Sequence, residues 1–132
     1  MASIFTKIIK GEIPSYKIAE DDNFYAFLDI FPTAKGHVLV VPKLEVDYIF
    51  DINSEEYLLM FEFAKKIAIA QKKALSVKRV GIVVAGFEVP HAHIHLIPMN
   101  TMSDMSFEKE KLKFSQEEFQ DIANKIKNEI RF

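Results

Sequence analysis

Two hydrophobic periods alternate along the chain, and each switch between them marks an element. Ile4, Phe5, Ile8 and Ile9 repeat at helical spacing and are followed by Gly11 and Pro14, which predicts a short amino-terminal helix. Tyr16–Ala19 and Phe24–Leu28 flank the polar run Glu20–Asn23, the pattern of a hairpin. Asp29–Gly36 reads as a loop, marked by Pro32 and Gly36, and His37–Pro42 as a buried strand that stops at its proline. Asn53 precedes Glu56 by three positions, the spacing of a capping box. A helix is predicted from there to about Ser76, with Leu59, Phe63, Ile67 and Ala70 on its apolar side. Arg79–Ala85 is rich in β-formers, Gly86–Pro90 forms a loop, and His91–Ile97 alternates as a strand. Asn100–Lys113 is polar and irregular. Ser115 and Glu118 repeat the capping-box spacing ahead of a stripe made by Phe119, Ile122, Ile126 and Ile130.

The order βββ-α-ββ with a helix at each end predicts an α+β fold. Its sheet should have about five strands, antiparallel because the connections are hairpin-length. One long helix lies against a face, with a short amino-terminal helix and an extra carboxy-terminal helix. No repeat or linker interrupts residues 1–132, which read as a single domain with a core at 1–99 and an extension at 100–132.

Composition narrows the partners. The chain has 132 residues, 49% hydrophobic and 27% charged, enough to bury a core without staples. A formal net charge of −2 gives no basic excess for nucleic-acid binding. Without cysteine, disulfides, thiol chemistry and cysteine-based zinc sites are excluded. The amino terminus lacks the apolar core of a signal peptide, and the longest apolar runs, Val38–Val41 and Ile82–Phe87, are strand-sized. No membrane partner and a cytoplasmic location are expected.

The candidate chemistry sits in His91-Ala92-His93-Ile94-His95, which holds three of the four histidines. On a strand these three share one face, with roughly 6.5–7 Å between neighbours, while Ala92, Ile94 and Leu96 face a core. Ordinary polar surface positions would not call for such concentration. A metal site is a second reading, with Glu88 as a carboxylate ligand, although three collinear imidazoles converge poorly on one ion. The favoured reading is nucleophilic catalysis, in which an imidazole nitrogen takes up an electrophilic phosphorus and its neighbours set tautomer and move protons.

His91 through Ile97 also match the signature of the histidine-triad (HIT) family of nucleotide hydrolases and transferases, His-φ-His-φ-His-φ-φ with φ apolar. Ile4–Pro14 resembles that family's first helix and turn, Phe27–Pro32 its nucleoside-binding segment, and Gly36–Pro42 the strand carrying its fourth histidine, here His37. The resemblance runs from about Ser3 to Pro98. It implies that His93 is the nucleophile, with His91, His95 and His37 orienting it and sharing the proton work. It further implies that Asp29 accepts hydrogen bonds from a ribose and that Phe5, Ile8, Leu28 and Ile30 form an apolar slot for a purine. The N–H groups of Glu88 and Val89 would stabilise the phosphate. A homodimer is implied as well.

The chain departs from the family pattern in three places. The loop before the triad is short, and Phe87 stands where a glutamine is usual, so the Asn and Gln side chains that touch phosphate are missing. An acidic Glu88 should therefore turn away from a phosphate or contact the leaving group. The family's zinc-binding branch carries Cys-x-x-Cys where Ser3 and Thr6 stand, so neither structural zinc nor any other metal or cofactor is expected. The extension after Pro98 either covers core surface with its amphipathic helix, or its segment Asn100–Phe107 borders the site and selects the leaving group. The predicted activity is hydrolysis of a nucleoside 5′-monophosphate linked to an amine or phosphate, through a nucleotidyl-histidine intermediate. A nucleotidyl transferase, a nucleotide-binding module without turnover and a metal-dependent hydrolase remain alternatives.

Overall fold

The computed structural model describes residues 2–132. Its elements are α1 (Ile4–Ile9), β1 (Lys17–Glu20), β2 (Phe24–Leu28), β3 (Val38–Pro42), α2 (Ser54–Leu75), β4 (Arg79–Val83), β5 (Ile94–Met99) and α3 (Gln116–Glu129). The five strands form one antiparallel sheet in the order β1-β2-β3-β5-β4, the α+β architecture expected. The long helix α2 intervenes between β3 and β4. The β4–β5 hairpin then brings β5 back beside β3 and leaves β4 at the edge.

Helix ends are set by local hydrogen bonds. Ser3 caps α1 by accepting from the Thr6 N–H, and Ser115 with Glu118 forms the reciprocal capping box of α3. Asn53 accepts from the Glu56 N–H at the start of α2, giving the first half of the predicted box. The buried stripe of α2 is Met60, Phe63, Ala64, Ile67, Ala70 and Gln71. Leu59, expected on that stripe, is 47% exposed, one position off the 3.6-residue repeat that runs from Met60 to Ala64 and Ile67.

The sheet buries both faces. Phe24, Ala26, Leu28, Val38, Val40, Ile94 and Leu96 meet α2 and α3 in the main core, and Ala92 joins them. On the opposite face Tyr25, Phe27, Leu39 and Val41 pack under Phe5 and Ile8 of α1. A smaller group, Ala34, Ile97 and Met99, lies under Met105 and Phe107. The four histidines lie between these two coverings.

The histidine strand begins later than its alternation suggested. β5 starts at Ile94 and runs to Met99, so His91 and His93 precede it. Their backbone groups are engaged elsewhere. The His91 N–H donates to Val89, the Ala92 N–H donates to Val46, and the His91 carbonyl is taken by the ring of His93. With both N–H groups committed outside the sheet, the pairing with β3 ends at Ile94, opposite Val40.

Candidate active site

All four histidines are buried, and the hydrogen bonds of each fix its tautomer. The Nε2 of His91 is 2.7 Å from the Pro42 carbonyl oxygen, which can only accept, so Nε2 carries the proton. Its Nδ1 then accepts from the Ser3 hydroxyl at 2.7 Å. The Ser3 N–H and the Thr6 hydroxyl both donate to Oε1 of Glu45, at 2.7 and 2.6 Å. That pair of bonds, the Thr6 hydroxyl foremost, holds the Glu45 carboxyl well below its usual range. Ser3 and Thr6, where cysteines would form half of a zinc site, thus belong to a hydrogen-bonded knot closed by Glu45 and His91.

His93 is oriented by its predecessor. Its Nδ1 lies 2.8 Å from the His91 carbonyl and must donate, which leaves the Nε2 lone pair uncommitted. The ring of Phe5 meets His93 edge-on at 5.1 Å, and that of His95 lies 4.9 Å away.

His37 and His95 form a relay of fixed direction. The Thr33 N–H donates to Nδ1 of His37 at 3.2 Å, so the His37 proton sits on Nε2 and is given to Nδ1 of His95 at 2.9 Å. His95 in turn carries its proton on Nε2. Burial pushes both imidazoles down to about 3, helped at His37 by Lys111 and at His95 by His37 itself. Both are neutral at pH 7. Burial is also the main cause lowering His91. Asp29 has one carboxylate oxygen 3.6 Å from Nε2 of His37 and the other accepting from the Phe31 N–H at 2.8 Å. Burial raises its carboxyl, partly offset by the Phe31 N–H.

One amide braces this pair from the core. Nε2 of the buried Gln71 donates to the Gly36 carbonyl at 2.9 Å and the Leu96 carbonyl at 3.0 Å, each one residue from a relay histidine. Gly36 has φ +86°, and a Cβ there would strike the side chain of Leu75.

Two cavities meet at His93. A cavity of about 370 Å³ is lined by Phe5, Ile8, Leu28, Asp29, Ile30, Glu88, Val89 and His93, so it gathers every residue assigned to the nucleoside. Ile30 stands at its mouth, 53% exposed. Leu28 contributes only along one wall, because its side chain shares the parity of Phe24 and Ala26 and packs in the main core. Phe27 and Leu39, not anticipated, line the cavity from the site face of the sheet. A second cavity of about 430 Å³ opens on the other side of His93, lined by Tyr48, Phe50, Gly86, Phe87 and Ala92 among others.

Glu88 does not turn away. Its carboxylate comes within 4.8 Å of ring nitrogens of His93 and His95, where the proton on His95 is an attractive partner. Glu88, His93 and His95 form one donor set able to hold a cation, and Asp29, His37 and His95 form another. In the second set the facing nitrogens of His37 and His95 are already bonded to each other. Ser3, Thr33, Glu45, Gln71 and Lys111 also belong to this region and were not foreseen, whereas Phe107, beside His95, ends the segment offered as bordering the site. Only the Ser3 spacing to Thr6, a helix-cap signal, could have pointed to one of them.

A HIT domain model matches residues 10–102, and the chain belongs to the histidine triad family. It is 46% identical over 98 residues to adenosine 5′-monophosphoramidase HNT1 of Saccharomyces cerevisiae, an alignment covering 74% of this chain and 62% of that protein. Against adenosine 5′-monophosphoramidase hnt1 of Schizosaccharomyces pombe it is 34% identical over 134 residues, covering 99% and 100% of the two chains. The crystal structure of a Hit-like protein involved in cell-cycle regulation from Bartonella henselae superposes with a TM-score of 0.84. It is 32% identical, and the match covers 97% of this chain and 96% of that one.

Proposed function

We propose that this protein is a phosphoramidase that hydrolyses a nucleoside 5′-monophosphate joined to an amine or phosphate leaving group, with adenosine 5′-phosphoramidate as the reference substrate. The observation that carries this reading is the tautomer of His93. Its Nδ1–H is locked to the His91 carbonyl, and the free Nε2 lone pair sits where two cavities meet. The two yeast phosphoramidases support the substrate class.

In the proposed reaction Nε2 of His93 attacks the α-phosphorus while the bond from phosphorus to the leaving amine breaks. The amine departs with one proton drawn from the histidine cluster. A water then attacks the same phosphorus and gives one proton back to the histidine cluster, the bond to Nε2 breaks, and the nucleotide leaves with His93 and the cluster restored. His95, donating through Nε2–H, stabilises the phosphate oxygens, and His37 holds His95 in that tautomer. The N–H groups of Glu88 and Val89, for which we find no acceptor among the described residues, add further donors. Asp29 binds the ribose, and Phe5, Ile8, Leu28 and Ile30 bound the purine.

A homodimer is part of the proposal. The unpaired edge strand β4 exposes Ile82, and the outer side of α2 exposes Leu58, Leu59 and Ile69, an apolar surface suited to a second copy.

Turnover of adenosine 5′-phosphoramidate in the presence of EDTA tests the chemistry. AMP release by the wild type, an acid-labile adduct on the protein, and a loss of at least roughly 1,000-fold in His93→Ala are expected. AMP binding without turnover would replace the proposal with a nucleotide-binding module, and activity lost to EDTA and restored by zinc would replace it with metal-dependent hydrolysis.

A further inference from the structure

Beyond β5 the chain turns back across the site. The Phe107 ring lies 4.9 Å from that of His95 and 6.1 Å from that of His37, both edge-on. Five residues later the Leu112 N–H donates to the Pro32 carbonyl at 2.9 Å, which ties the segment to the loop after Asp29. Between these anchors stands Lys111. Its Nζ donates to the Phe107 carbonyl at 2.7 Å and lies 5.1 Å from the centroid of the Phe107 ring. The cation is therefore held over the aromatic ring that covers the relay histidines. Among the described residues it has no carboxylate partner.

The charge balance of the site gives this lysine a task. Among the described residues no lysine or arginine lines either cavity beside His93, while Asp29 and Glu88 bring carboxylates to the same space. A nucleotide phosphate would enter with negative charge of its own. The ammonium lies 5.1 Å from the centroid of a ring that is itself 4.9 Å from the ring of His95, which puts its charge at the border of the site.

We propose that Lys111 is a substrate-binding residue whose ammonium pairs with the phosphate of the bound nucleotide, presented from the strap Phe107–Leu112. This rests on the nucleotide reading of the site and adds a residue from outside the triad to it. The strap supplies by charge what the absent Asn and Gln side chains cannot supply by hydrogen bonding.

The test compares binding of AMP and of adenosine, which lacks the phosphate, to the wild type, Lys111→Gln and Lys111→Arg by titration calorimetry at low and high salt. In Lys111→Gln the affinity for AMP should fall by roughly tenfold or more, as expected for a lost bond to a charged group, while adenosine binding stays within about twofold. Lys111→Arg should keep most of the AMP affinity, and added salt should weaken AMP binding more in the wild type than in Lys111→Gln. Equal weakening of AMP and adenosine would overturn the proposal, because it would mean that Lys111 only braces the strap. Unchanged AMP affinity would overturn it too. If the wild type binds AMP no better than adenosine, the nucleotide phosphate reading of the site fails first, and the role of Lys111 with it.

Discussion

The two faces of the sheet are made from the same strands and are built on opposite rules. Toward α2 and α3 the strands present a continuous aliphatic and aromatic layer, with Val40, Ile67, Ile94 and Leu96 fully buried. Toward the site the apolar cover splits into two small groups, under α1 and under Met105 and Phe107, and the histidines occupy the gap. The first face is held by area and packing, which are non-directional. The second is held by hydrogen bonds whose donors and acceptors have only one consistent assignment, from Thr33 through His37 to His95, and from Ser3 through His91 to His93. One face supplies stability, and the other spends polar burial on setting which nitrogen carries a proton.

That contrast can be broken by mutation. Ile67→Ala should destabilise the fold by about 2–5 kcal/mol, the cost of a core cavity, and leave turnover of the folded protein at 25 °C nearly unchanged. Urea unfolding together with steady-state kinetics checks both halves, and a large drop in turnover would show that the faces are coupled through packing.

A second prediction concerns pH. His37 and His95 have folded values of about 3, below the ordinary 6.5, so between these values the unfolded chain binds more protons. Stability should be fully present above pH 6.5 and decline as pH falls toward 3. The urea midpoint of the wild type, followed from pH 7 to pH 4, should fall more steeply than that of His37→Gln, and equal slopes would refute the buried neutral pair. The smallest effect expected is that of Ser3→Ala, which removes a helix cap and the partner of His91 and should cost about 1 kcal/mol in thermal stability.

Legibility in the sequence followed the same divide. The helix-side face could be read because its residues obey simple periods. Phe63, Ile67 and Ala70 on α2, and Ala92, Ile94 and Leu96 near β5, all lie where their spacing put them. Period fails where both faces are apolar. In β2 every position from Phe24 to Leu28 is buried, so nothing in the chain distinguishes Leu28, which points to the core, from Phe27, which points to the site. It fails again at His91 and His93, where N–H bonds from His91 to Val89 and from Ala92 to Val46 replace the ladder that alternation implies. The histidine cluster was visible because three of its members are adjacent, but Gln71, Glu45 and Lys111 reach it only through the tertiary fold.

The bond from Ser3 to His91 joins residues 88 positions apart, and the Leu112 bond to Pro32 spans almost as far. Closing such long loops is entropically late work for a folding chain. A chain with its sheet and α2 in place but α1 still loose would hold His91 without the hydroxyl that sets its ring. A nascent chain emerging only as far as Met99 would lack the strap over His95. Competence at this site is thus a record of completed folding, and phosphoramidate turnover during refolding should lag behind the recovery of helical signal.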